Sequence, residues 1–80
     1  MIAMRLNIER RRALEMLASA GITGLIEATM LAHGFTRAML ALLVQKGLAR
    51  ARRVTVMADG SAIKVYRIRI TAAGRRAIEG

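Results

Sequence analysis

Residues 34–71 read GFTRAMLALLVQKGLARARRVTVMADGSAIKVYRIRIT, and this stretch decides the fold. Thr36 is a favoured N-cap, and no glycine or proline interrupts the residues after it until Gly47 supplies a left-handed stop. A helix from Thr36 to about Lys46 is predicted, with Met39, Leu40 and Leu43 available to a core. After Leu48 the pattern changes period. Val54, Val56, Ile63, Val65, Tyr66, Ile68 and Ile70 are β-formers in two runs flanking Asp59-Gly60, a dipeptide suited to tight hairpins. A helix therefore runs directly into a two-stranded hairpin. Its register is open, because a two-residue turn at Asp59-Gly60 and a three-residue turn including Ser61 pair the strands differently. The hydrophobic pattern favours the version that turns Val54, Val56, Tyr66, Ile68 and Ile70 inward and leaves Arg53, Arg67 and Arg69 outside.

Working outward, Asn7 is the expected N-cap of a first helix over roughly 8 to 19. It places Ile8, Leu14, Leu17 and Ala18 near one face, with Glu9, Arg10, Arg11, Arg12 and Glu15 mostly on the other. Gly21 ends it, and Ile22-Thr23 forms a connector or a single β-bridge. A second helix, about 24 to 33, is expected with Thr23 as cap and Glu27 near its N-terminal end, where the helix dipole favours a carboxylate. Leu25, Ile26, Ala28, Met30 and Leu31 make much of its circumference apolar, so it should be largely buried. Gly34 then breaks the chain, and two helices joined by a tight glycine-containing turn form a helix-turn-helix unit. At the far end Thr71 caps a short helix containing Arg75, Arg76 and Ile78.

Eighty residues suffice for one domain, because a chain this short buries only about 60% of its unfolded surface and cannot support two cores. Residues 1–80 are read as that domain, with 1–6 as an N-terminal arm. Cysteine is absent, so packing must supply the stability and a reducing, cytoplasmic compartment is expected. No apolar run approaches the roughly 20 residues of a membrane span, and Met1 to Leu6 lacks the features of a secretory signal. Fourteen basic residues against five acidic ones give a net charge of +9, and all of the basic residues except Lys46 and Lys64 are arginine. The planar guanidinium suits phosphate oxygens, which points to a polyanionic partner. The plainer alternative is charge that keeps a small protein soluble.

Two stretches, LVQKGLARA over Leu43 to Ala51 and RITAAGRRAI over Arg69 to Ile78, resemble the winged-helix family. Within it they are similar to small bacterial regulators of the MarR and ArsR groups. The second stretch resembles the L-T-x-x-G-R ending of many such wings, with Ile70 in place of Leu. The likeness covers nearly the whole chain. It implies an α+β winged helix-turn-helix: a three-helix core, a C-terminal β-hairpin wing and a short terminal helix. It also implies a DNA-binding transcription regulator, or a DNA-associated accessory factor, that works as a homodimer on duplex DNA. Relatives dimerise through additional terminal helices that are short here.

In that family the third helix enters the major groove with its N-terminal residues at the base edges, while the wing contacts backbone or minor groove. Mapped onto this chain, Thr36 and Arg37 are the groove-facing pair. Arg37 either reads guanine or makes a phosphate or solvated contact. Gln45 and Lys46 are the other polar positions, since Ala38, Ala41, Leu42 and Val44 leave few side chains to read bases. The wing contributes Arg50, Arg52, Arg53, Lys64, Arg67 and Arg69. The alternative is a winged helix that serves as a protein-protein interaction module docking on an acidic partner. RNA binding is disfavoured by the scarcity of aromatics for base stacking.

Arg10, Arg11 and Arg12 form a second basic cluster, read as a solvated face or a contact with flanking phosphate. Met1, Ile2, Met4 and Leu6 are expected to pack on a second subunit, the alternative being a frayed terminus. Catalysis finds little support: His33 is the only histidine and fits a helix C-cap. Ser19 and Ser61 lack a base, and Glu9, Glu15, Glu27, Asp59 and Glu79 show no paired spacing. No catalytic residue, metal, cofactor or small-molecule ligand is expected, and the methionines read as flexible core filler.

Overall fold

The computed structural model describes residues 8–79. Along the chain lie α1 (Ile8–Ala20), a 3-10 turn (Gly21–Thr23), β1 (Leu25–Ile26), α2 (Glu27–Ala32), α3 (Arg37–Gln45), β2 (Ala49–Ala58), β3 (Ser61–Ile70) and α4 (Ala72–Glu79). The strands form one antiparallel sheet in the order β1-β3-β2. Three helices on one face of a sheet whose last two strands extend as a hairpin, with a helix after it, make an α+β winged-helix-type architecture. The described chain is elongated, 50 × 21 × 19 Å, because the hairpin projects beyond the helices that cover its base.

Aliphatic side chains build the core. Ala13, Leu14 and Leu17 of α1 meet Met30, Phe35, and Leu40 and Leu43 of α3, with Ala49 and Ile68 closing the sheet side. The positions in α1 and α3 recur at helical spacing, so each helix buries one stripe and leaves its other side to solvent. Ile8 departs from its expected face, being 77% exposed at the first turn of α1. Asn7 and the arm Met1 to Leu6 lie outside the described residues. The methionines are mixed: Met30 is buried, Met16 and Met39 pack against the core, and Met57 stands exposed on the hairpin.

The second helix begins later than its apolar pattern predicts. Gly24 turns the chain at φ +71°, and Leu25–Ile26 is extended and pairs with Ile68 and Arg67. Helix α2 therefore starts at Glu27, with Ile26 at its N-cap position and no side-chain cap from Thr23. The open edge of β3 wins these two residues, since tertiary pairing outweighs a modest helix propensity. A β-carbon on Gly24 would run into the Ile68 carbonyl and the Arg69 stem, so the close approach requires glycine. Only Met30 of α2 is buried, which is less than expected.

At the hairpin the structure overturns the favoured inward set. Ala58 pairs with Ser61 across a two-residue turn, and Asp59 (φ 51°) and Gly60 (φ 78°) both adopt the left-handed conformations of a type I′ turn. Val54 then faces Val65, and Arg53 faces Tyr66. Residues opposite one another share a face, so Val54 and Val56 lie on the side away from Tyr66, Ile68 and Ile70. Bringing all five inward would have required the three-residue turn. The native twist of a two-residue I′ turn matches that of the strands, and Asp-Gly satisfies both positive φ angles.

Thr71 joins the hairpin to the last helix. Its hydroxyl accepts from the Gly74 amide (3.0 Å) and donates to the Gly47 carbonyl (2.6 Å), tying the start of α4 to the turn after α3. Arg11 donates to the Ile78 carbonyl at 2.9 Å, securing α4 to α1. Gly74 is buried in α4, and a β-carbon there would collide with the Leu48 carbonyl and Ile70. Helix propensity alone predicts that Gly74→Ala stabilises by about 1 kcal/mol. The packing predicts the opposite sign, a loss of about 1–3 kcal/mol from overpacking, read as a lower urea midpoint.

Candidate nucleic-acid interface

Helix α3 presents a defined outer stripe. Leu40 and Leu43 are buried and Met39 and Leu42 half-buried, which leaves Arg37, Ala38, Ala41, Val44 and Gln45 exposed, with Lys46 at the C-cap. Thr36 begins the helix as expected, its hydroxyl accepting from the Met39 amide at 3.1 Å. That bond leaves Thr36 exposed, beside the free amides of the first turn.

The hairpin's inner face, which packs on the core at its base, carries Ala49, Ala51, Arg53, Thr55 and Met57 opposite Ile70, Ile68, Tyr66, Lys64 and Ala62. Ala51, Tyr66 and Ile68 of this face meet Leu40, Ala41, Val44 and Gln45 of α3 across an open groove of 410 Å³, with Glu27 and Arg37 also lining it. Arg37 Nε lies 3.7 Å from Glu27 Oε1, where its side chain is 76% exposed. Glu27 is half-buried, its side chain 25% exposed, but with the guanidinium open to solvent at this distance the pair contributes little, about 0–1 kcal/mol, so Arg37 is readily released to another anion. Above the groove the Arg53 guanidinium lies 5.8 Å from the centroid of the Tyr66 ring, in cation–π range. Lys64 stands diagonally beside Arg53 on the same face.

The remaining wing cations sit elsewhere. Arg50 pairs with Arg69 and Arg52 with Arg67 on the outer face, turned away from α3. Arg67 donates to the Thr23 carbonyl at 3.1 Å, and the Arg69 stem lies over Gly24, so these two also brace the hairpin against the 3-10 turn. The ten candidate residues thus divide: Thr36, Arg37, Gln45, Lys46, Arg53 and Lys64 lie on the side of α3 and the inner face, while Arg50, Arg52, Arg67 and Arg69 lie on the other. Among the described residues no wing cation forms an ion pair with a carboxylate.

Two residues beside α3 escape sequence reasoning. Tyr66 reads as core; it keeps the inward face beside Ile68, but it stands where the hairpin leaves the helices and is 43% exposed, with Arg53 opposite it. Arg10 reads as part of a solvated cluster, yet it shares a 290 Å³ depression with Thr36, Ala38 and Leu42 at the start of α3. Nothing local in α1 signals that neighbour, which depends on how the two helices cross. His33 does cap α2, its Nδ1 donating to the Thr29 carbonyl at 2.9 Å. Among the described residues no group of three His, Cys, Asp or Glu side chains is placed to hold a metal ion, and no helix is long and apolar enough to cross a membrane.

The chain matches no protein-family model, no curated protein and no solved structure. Its winged-helix-type architecture therefore rests on its own topology.

Removing the cap tests how firmly α3 is held. Thr36→Ala should lower stability by about 1 kcal/mol and Thr36→Ser by no more than a few tenths, measured by urea denaturation.

Proposed function

We propose that the chain is a non-enzymatic, duplex-DNA-binding winged-helix module. It belongs with the kind of small bacterial, cytoplasmic transcription regulators or accessory factors similar to the MarR and ArsR groups, and it works as a homodimer. One observation carries this reading: the exposed stripe of α3 and the inner face of the hairpin border the same open groove, with cations on both sides. A helix entering a major groove would bring Arg37 to base edges or phosphate. The wing would bring Arg53 and Lys64 to the adjacent backbone. Exposed Ala38, Ala41 and Val44 suit contact with thymine methyl groups, and Gln45 offers a donor and an acceptor near the far end of the helix. Lys46 adds a further charge there.

Fluorescence anisotropy with duplex DNA across a salt series tests the proposal. If Arg37, Lys46, Arg53 and Lys64 each neutralise a phosphate, log affinity should fall with log salt with a slope of about −3.6. The double variant Arg53→Ala, Lys64→Ala should flatten that slope by about 1.8. Arg37→Ala should cost about 1–3 kcal/mol on a preferred sequence if the guanidinium reads guanine, or flatten the slope by about 0.9 if it meets phosphate. Glu27→Gln frees Arg37 and should strengthen duplex binding by up to about fivefold. Absence of duplex binding even at about 50 mM salt would favour a protein-interaction module instead.

The homodimer rests on the apolar arm Met1, Ile2, Met4 and Leu6. Sedimentation of the chain begun at Asn7 should show a shift toward monomer. An unchanged oligomeric state would remove the arm from the interface.

A further inference from the structure

The outer face of the hairpin carries a second pattern that the α3 groove does not use. From the base outward, Arg50 opposes Arg69 and Arg52 opposes Arg67, and then Val54 opposes Val65 and Val56 opposes Ile63. Four guanidinium groups are followed by four aliphatic side chains on one face about 20 Å long, where Ile63 is exposed and Val54, Val56 and Val65 are half-buried. We propose that this face docks an extended, acidic protein segment whose carboxylates meet the arginine quartet and whose aliphatic side chains cover the valine and isoleucine quartet.

The occupant follows from charge and from what each half of the surface requires. Arginines directly opposite one another in a sheet repel, and among the described residues no carboxylate pairs with any of the four. Arg67 uses one donor on the Thr23 carbonyl and keeps the others for an anion. A second copy of this chain would bring another +9 to the same place. A nucleic-acid backbone would satisfy the guanidinium groups but would set Val54, Val56, Ile63 and Val65 against phosphates, with Ile63 already 44% exposed. A duplex seated in the α3 groove lies on the opposite side of the ribbon. A polypeptide with carboxylates toward one end and aliphatic residues toward the other satisfies both halves.

The edge adds a second reason for an extended partner. Strand β2 is terminal in the order β1-β3-β2, so among the described residues no strand pairs with its outer edge along Ala49–Ala58. A segment added to that edge gains main-chain hydrogen bonds and sends every second side chain to the outer face, beside Arg50, Arg52, Val54 and Val56. The recognised pattern is acidic-x-acidic-x-aliphatic-x-aliphatic, in the direction the edge accepts. This inference does not depend on DNA binding.

The test uses labelled peptides of that pattern, in both directions, with threonine at each x, and a polyglutamate of equal charge. Anisotropy should show one patterned peptide binding at least about tenfold more tightly than polyglutamate. Val56→Thr with Ile63→Thr, both compatible with a strand, should erase that advantage. Arg50→Gln with Arg52→Gln, at two exposed positions, should weaken both acidic probes by about tenfold while leaving the salt slope of duplex binding unchanged. Equal binding of patterned peptide and polyglutamate to wild type, or no effect of the aliphatic substitutions, overturns the proposal. A duplex salt slope flattened by about 1.8 in the arginine variant would also overturn it, by making this face a DNA contact. Should duplex binding be absent altogether, the peptide measurements still decide the outer face by themselves.

Discussion

One residue of strand register in the hairpin governs how charge is distributed over this molecule. Asp59 and Gly60 close a two-residue type I′ turn, and every pair below it follows: Arg53 with Tyr66, Arg52 with Arg67, Arg50 with Arg69. Side chains alternate across a strand, so the turn also selects which cations can share a surface with α3. Arg53 and Lys64 fall on that side. The arginine quartet falls on the other, and a ribbon that would be uniformly basic in a coarse reading becomes a two-sided element.

The hairpin's base has to be held rigidly for that division to matter, since an isolated two-stranded ribbon is marginally stable in water. Three attachments hold it. Ile68 and Ala49 are buried against α1 and α3, the short strand β1 pairs with Arg67 and Ile68 on the opposite edge, and Thr71 bridges to the Gly47 carbonyl. Two glycines permit the close approaches: Gly24 beneath Arg69, and Gly74 against the Leu48 carbonyl. Beyond the base, cross-strand contacts carry the ribbon alone, through Val54 with Val65, Val56 with Ile63, and the Arg53 guanidinium over the Tyr66 ring.

What could be read from the residues alone was whatever is encoded locally. The helix capped by Thr36 and stopped by Gly47, the Asp59-Gly60 turn and the helix begun by Thr71 all carry their own signals, and each stands where those signals put it. Leu25 and Ile26 were illegible because the partner that makes them a strand lies more than forty residues away, at Arg67 and Ile68. The register was illegible for a related reason. Hydrophobic patterning assumes that every aliphatic residue seeks the core, and here Val54, Val56, Ile63 and Val65 line a projecting face instead. For the candidate site, the α3 residues were legible from helical spacing. The wing residues were legible as a set but not as two sets, and Tyr66 was legible as inward-facing but not as a partly exposed wall of the groove.

Homonuclear NOE spectroscopy of the free protein tests the register most directly. In antiparallel strands the α-protons of non-hydrogen-bonded pairs approach closely, and a two-residue turn assigns that relation to Arg53 with Tyr66 and to Thr55 with Lys64. Strong α-proton cross-peaks between those residues are the expected result. Cross-peaks joining Val54 to Tyr66 and Val56 to Lys64 would show the ribbon shifted by one residue, and the division of its arginines between two faces would be contradicted.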